Sequence, residues 1–180
     1  MVNTVFIISL DILKVLTPFI IAIGVYLLWH KQKEKEVVAS EAKNSLTILN
    51  SMLAKKVDFF TAIYDIEELF KVSLTANEEF DRKLKSLHTE LLDLAGELEH
   101  SLHFICDAKN NNELRSEFVQ RLTVIVDCIK DLEWNYRVEN LSLNYIYHEL
   151  QEKKKKSSYE ISEGIQYFKL KLVNFALYRN

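Results

Sequence analysis

The chain has 180 residues and a formal net charge of -3, so no overall basic field recommends nucleic acid as a partner. Three glycines and one proline leave few tight turns, which excludes a turn-rich all-β chain. The two cysteines, Cys106 and Cys128, lack metal-type spacing and read as buried, small apolar side chains.

Val5 to Trp29 reads VFIISLDILKVLTPFIIAIGVYLLW. Crossing about 30 Å of hydrocarbon takes about 20 helical residues. Val5–Trp29 supplies them, whereas the charge-free part, Val15–Trp29, is too short alone. The expectation is a single transmembrane helix over residues 1–30. A signal peptide is disfavoured: no Lys or Arg precedes Lys14, and Tyr26-Leu27-Leu28-Trp29 ends the run without small residues. A buried core helix is disfavoured by apolar character on all sides. Lys31, Lys33 and Lys35 follow the span, and positive residues stay inside. That predicts an inner (plasma) membrane location, N-terminus outside and the remainder cytoplasmic, with Tyr26 and Trp29 as interfacial anchors.

Asp11, Lys14, Pro18 and Ala22 share one helical face. Ionisable groups at membrane depth face other protein or water, so this face is a candidate helix interface or pore wall. The alternative is that both charges snorkel to the outer surface. Pro18 removes one helical hydrogen bond.

A juxtamembrane helical stalk is expected over 31–56 and a cytoplasmic bundle of four or five helices over 57–180. Val38, Ala42, Leu46, Leu49 and Leu53 make the first stripe. Whether a break falls at Lys55-Lys56 stays open. Asn77 is positioned to cap the next helix, along which Phe80, Leu84, Leu87, Leu91, Leu94, Leu98, Leu102 and Ile105 recur. A polar turn at 107–112 follows, with Asn112 as the next cap. Leu114, Phe118, Leu122, Ile125, Ile129 and Leu132 form a second regular stripe, continuing less cleanly through Tyr136, Leu141 and Tyr145. These two helices should pack antiparallel. Lys153–Lys156 suits a helix end, and Ser157-Ser158-Tyr159-Glu160 fits a capping box. A last helix then carries Ile161, Ile165, Phe168, Leu172 and Phe175.

Chemical signals are sparse. Arg82 and His88 form R-x5-H (RKLKSLH), a loose match to the R-x4-6-H pattern of HEPN-type ribonucleases, in which His is the acid–base group and Arg steadies phosphate. Lys83 stands where that pattern favours a small polar residue, and a solvated charged face explains the same residues. His100, His103 and Cys106 are spaced by three, but the third rotates away from the first, so no metal site is expected. No cofactor motif and no catalytic signature is present.

One N-terminal span, a cationic junction, an all-helical domain and at most a degraded R-x5-H make an order of parts that resembles the small membrane-anchored accessory proteins encoded beside the RNA-guided RNA nuclease of type VI-B CRISPR systems. Those proteins are similar to HEPN domains with a divergent motif. The resemblance implies a homo-oligomeric pore in the lipid bilayer that supports antiphage defence, a functional link to an RNA-guided nuclease, and vestigial Arg82 and His88. Apolar stripes on nearly every helix would offer surface for subunit contacts. The other classes are a tethered, non-conducting scaffold or sensor and a membrane-bound HEPN ribonuclease.

Overall fold

The computed structural model describes residues 2–72, 78–132 and 143–177, with side chains at 14–65, 68, 82–132 and 154–177. Four helices account for its regular structure: α1 (Val2–Val72), α2 (Glu78–Lys109), α3 (Asn112–Lys130) and α4 (Leu143–Ala176). Among the described residues there is no strand. The all-α expectation is therefore met. Two compact units emerge, Met1–Val38 and Ala39–Asn180. The boundary falls inside the stretch 31–56 that the sequence sets apart as a stalk; from Ala39 onward those residues belong with the bundle. α1 runs through Pro18 and past Lys55-Lys56 without a break.

The second unit is an up-down-up-down bundle in which each helix neighbours the next and α4 returns to α1. Ser45 meets Ser101 across α1 and α2, and farther along Phe59 lies 6.5 Å from the His88 ring. His88 reaches Ile129 across α2 and α3, while Arg115 pairs with Asp107 at the other end. Phe118 packs edge-on against Phe168 across α3 and α4 at 5.5 Å. Lys56 meets Ser162 across α1 and α4. Every one of these neighbouring pairs is antiparallel, as short connections favour.

The core follows the leucine and isoleucine stripes. Leu84, Leu87, Leu91, Leu98, Leu102 and Ile105 of α2 are buried, as are Phe118, Leu122, Ile125 and Ile129 of α3 and Ile161, Ile165, Phe168 and Leu172 of α4. On α1 the buried set is Val38, Ala39, Ala42, Ser45, Ile48, Leu49, Met52, Lys56, Phe59, Ala62 and Ile63. Leu53, expected on that stripe, is outward, and Met52 takes the core position. Cys106 and Cys128 are buried free thiols, as read from the sequence.

Three local expectations change. The α3 stripe ends at Lys130 with Asp131 as its C-cap; Tyr136 and Leu141 lie outside the described residues, and Tyr145 belongs to α4. No helix starts at Ser157. α4 continues through Lys153–Glu160, and Ser157 is a buried mid-helix residue. A capping box acts only where the backbone leaves the helix, and no Pro or Gly forces that here. The α3 cap is Asn111, one residue before the expected Asn112: its side chain accepts from the Leu114 N–H at 2.9 Å. Asn77 lies outside the described residues.

The α2–α3 turn explains that shift. Asn110 adopts φ 48°. Its N–H donates to the Asp107 carbonyl at 3.0 Å, and the Asn111 N–H donates to the Cys106 carbonyl at 3.2 Å. These are the two bonds of a Schellman motif, with Asn in the left-handed position usually given to Gly. Asn111 is thereby placed at the start of α3.

The bundle glycines differ in kind. A Cβ on Gly96 meets nothing within 4 Å, whereas one on Gly164 would lie 2.6 Å from Ile125 Cδ1 and Cγ1. Gly164 is therefore the close approach of α4 to α3. Thermal melts should separate them. Gly96→Ala should stabilise by about 0.5–1 kcal/mol through helix propensity. Gly164→Ala should destabilise on balance, because overpacking costs about 1–3 kcal/mol.

Candidate functional site

The N-terminal unit presents one feature. From Val15 to Trp29 the large apolar side chains are exposed on every side of α1, between 47% for Leu16 and 72% for Leu28. No part of the most apolar stretch of this helix is buried within the chain. By length and composition α1 is able to cross a membrane. Pro18 lies inside the helix, and Lys14 and Ala22 are exposed on it. The Asp11 side chain lies outside the described residues, so the Asp11–Lys14–Pro18–Ala22 face is described only in part. At the far end Tyr26 lies 6.5 Å from Trp29 and 6.1 Å from His30, ring to ring. Lys31, Lys33 and Lys35 are all exposed, and Lys33 pairs with Glu36 at 3.1 Å.

In the bundle, Arg82 and His88 do not form a joint site. Arg82 is exposed, and no hydrogen bond or ion pair joins it to His88 among the described residues. His88 is half-buried beside Phe59, with Nε2 2.9 Å from the Ile129 carbonyl. A carbonyl only accepts, so Nε2 carries the proton. Ile129 is in the last turn of α3, and its carbonyl also accepts from the Leu132 N–H at 3.0 Å. His88 thus caps α3 from α2.

His100, His103 and Cys106 separate as the rotation argument requires. His100 borders an open groove of about 450 Å³ between α1 and α2, with Glu41 and Glu97. His103 and Cys106 border a different, small cavity beside Arg115 and Phe118. Among the described residues no group of three His, Cys, Asp or Glu side chains is placed to hold a metal ion. Burial raises the pKa of both thiols, keeping them from the reactive thiolate form.

Two polar groups stand out that the sequence did not mark. Tyr167 sits between α3 and α4 under Arg121 and Lys171, 5.1 and 5.6 Å from its ring. Its hydroxyl is buried, with the Glu117 carboxylate beside it. Burial, and then the nearby Glu117 carboxylate, push its pKa far up. Lys56 is only 8% exposed; its ammonium donates to the Ser162 hydroxyl and lies 5.7 Å from the Phe60 ring. Burial lowers its pKa. Helix spacing offers no signal for either: Lys56 follows Lys55 in a polar-looking stretch, and Lys55 is the one that forms an ion pair, with Glu90.

No protein-family model, curated protein or solved structure matches the chain.

Two measurements check these assignments. His88→Ala should destabilise by about 1 kcal/mol, the worth of one such hydrogen bond, whereas Arg82→Ala should shift a denaturation midpoint negligibly. Lys56→Met should stabilise at pH 7 by about 1–3 kcal/mol, because a buried amine with one neutral partner is replaced by a hydrocarbon chain of similar length. Folded Lys56 releases its proton at lower pH than unfolded lysine. Across that window the unfolded state holds more protons, so wild-type stability rises with pH up to about 10.5. The advantage of Lys56→Met in urea melts should therefore shrink as pH is raised through the alkaline range.

Proposed function

We propose that the chain is a single-span membrane protein. Its α1 segment lies in the inner membrane, and copies assemble around that segment into a pore that perturbs the bilayer in antiphage defence, alongside an RNA-guided nuclease. The observation that carries the membrane part is the uncovered circumference of Val15–Trp29. Each such side chain left in water forgoes roughly 1.5–3 kcal/mol, and none of the described residues covers them. Lipid, or lipid together with sister helices, is the environment that fits.

A single helix encloses no water path, so conduction requires several copies. The Asp11–Lys14 face supports assembly, because charges at membrane depth are better tolerated against protein or water. Lys31, Lys33 and Lys35 support a cytoplasmic bundle. The pore and its defence role are drawn from the architectural resemblance to the type VI-B accessory proteins; Arg82 and His88 are given no catalytic part.

The bundle favours a second reading, a tethered scaffold or sensor that conducts nothing. Its apolar stripes are spent on its own core rather than left for neighbours. The outward face of α4 keeps Tyr159, Leu170, Val173 and Leu177 exposed, a smaller surface for contact between copies.

The full-length protein should stay in the membrane pellet after carbonate washing and purify in mild detergent as an oligomer with a central channel. Its expression should depolarise cells. Release by carbonate would end the membrane reading. A detergent-stable monomer, or an oligomer without depolarisation, would leave the scaffold in place of the pore.

A further inference from the structure

Three of the four buried polar residues of the bundle lie on one helix or against it. Among the described residues the four are Ser45, Lys56, Ser101 and Ser157; the first two are on α1, and Ser101 meets α1 from α2. The Ser101 hydroxyl donates to the Glu41 carboxylate. Ser45 Oγ lies 2.6 Å from Ser101 Oγ and 3.0 Å from the Glu41 carbonyl, and its one proton serves either. On the opposite flank of α1, Lys56 has the Ser162 hydroxyl and no carboxylate partner among the described residues.

The other seams are built differently. Phe118 on Phe168 and Ile125 on Gly164 close α3 against α4. His88 ties α2 to the end of α3. The α3–α4 seam also encloses the Tyr167 hydroxyl, but among the described residues no buried ammonium sits in either seam. Separation of α1 from the bundle would rehydrate an ammonium, a carboxylate and two hydroxyls together. That hydration offsets part of the apolar surface exposed. A buried charge with a single neutral partner gains little from enclosure.

We infer that the bundle-resident part of α1, residues 39–65, is a strap that opens from a folded α2–α3–α4 platform, with Lys56 setting how often it does so. The strap closes when its polar groups find one another at both flanks, and its apolar residues then complete the core. This inference stands apart from the membrane reading: a protein that carbonate released would still carry the strap.

Hydrogen exchange by mass spectrometry on the full chain in detergent tests it. Peptides within 39–65 should open at least about tenfold more often than peptides within 118–129. Lys56→Met should slow exchange in 39–65 about tenfold. Equal opening of the two regions in the wild-type protein, or exchange in 39–65 that Lys56→Met leaves unchanged, overturns the strap. Ser45→Cys combined with Ser101→Cys supplies an independent arm. Oxidised, this pair should abolish exchange through strap opening and leave the platform rates as they were; unchanged exchange in 39–65 after oxidation also overturns it.

Discussion

A helix that is apolar around its whole circumference is poorly suited to water, and none of the described residues covers this one. That constraint governs α1. From Val15 to Trp29 the helix is greasy on every side; from Ala39 it is greasy on one side and polar on the other. The change occurs within a single element, with no glycine or proline between Gly24 and Gly96 to interrupt it. Lys31, Lys33 and Lys35 occupy the transition, where positive charge is solvated by water or by anionic headgroups. One helix is thus written in two dialects of the same 3.6-residue period.

In the bundle, the residues that look chemically active serve the architecture. His88 is committed to a main-chain carbonyl at the end of α3. Glu41 is committed to Ser101. Asp107 and Arg115 brace the α2–α3 turn. The two thiols are enclosed and kept protonated by burial. These polar side chains fix which helix lies beside which. Buried polar contacts are well suited to that task, because a slipped register would leave them unpaired.

Much of this is legible in the sequence. The leucines of α2 and the mixed Leu, Ile and Phe stripe of α3 recur at strict three- and four-residue spacings; Leu84, Leu87, Leu91, Leu98, Leu102 and Ile105, and Phe118, Leu122, Ile125, Ile129 and Leu132, are buried, while Leu94 and Leu114 are half-buried. The turn at 107–112 announces itself by composition. Its cap was misplaced by one residue because three asparagines stand together, and only the left-handed backbone at Asn110 decides between them. The break expected before Ser157 came from local signals alone; burial of Ser157 in a continuous α4 outweighs them. Leu53 and Met52 are both acceptable core residues, so spacing could not choose. The contact of His88 is with a carbonyl, which no side-chain pattern records. Ser45, Lys56 and Ser101 looked like surface because a polar residue on a core face differs from an exposed one only in its neighbours.

The circular order of the helices has a consequence for synthesis. Ser45 and Ser101 are 56 positions apart, and Glu117 and Lys171 are 54 apart, but Lys56 waits for Ser162, 106 positions downstream. Neighbouring helices meet early because little chain separates them. The flank of α1 that receives α4 stays bare until the ribosome has passed Ser162. Until then the nascent chain carries Lys56 without its hydroxyl partner, and closure of the bundle waits for α4.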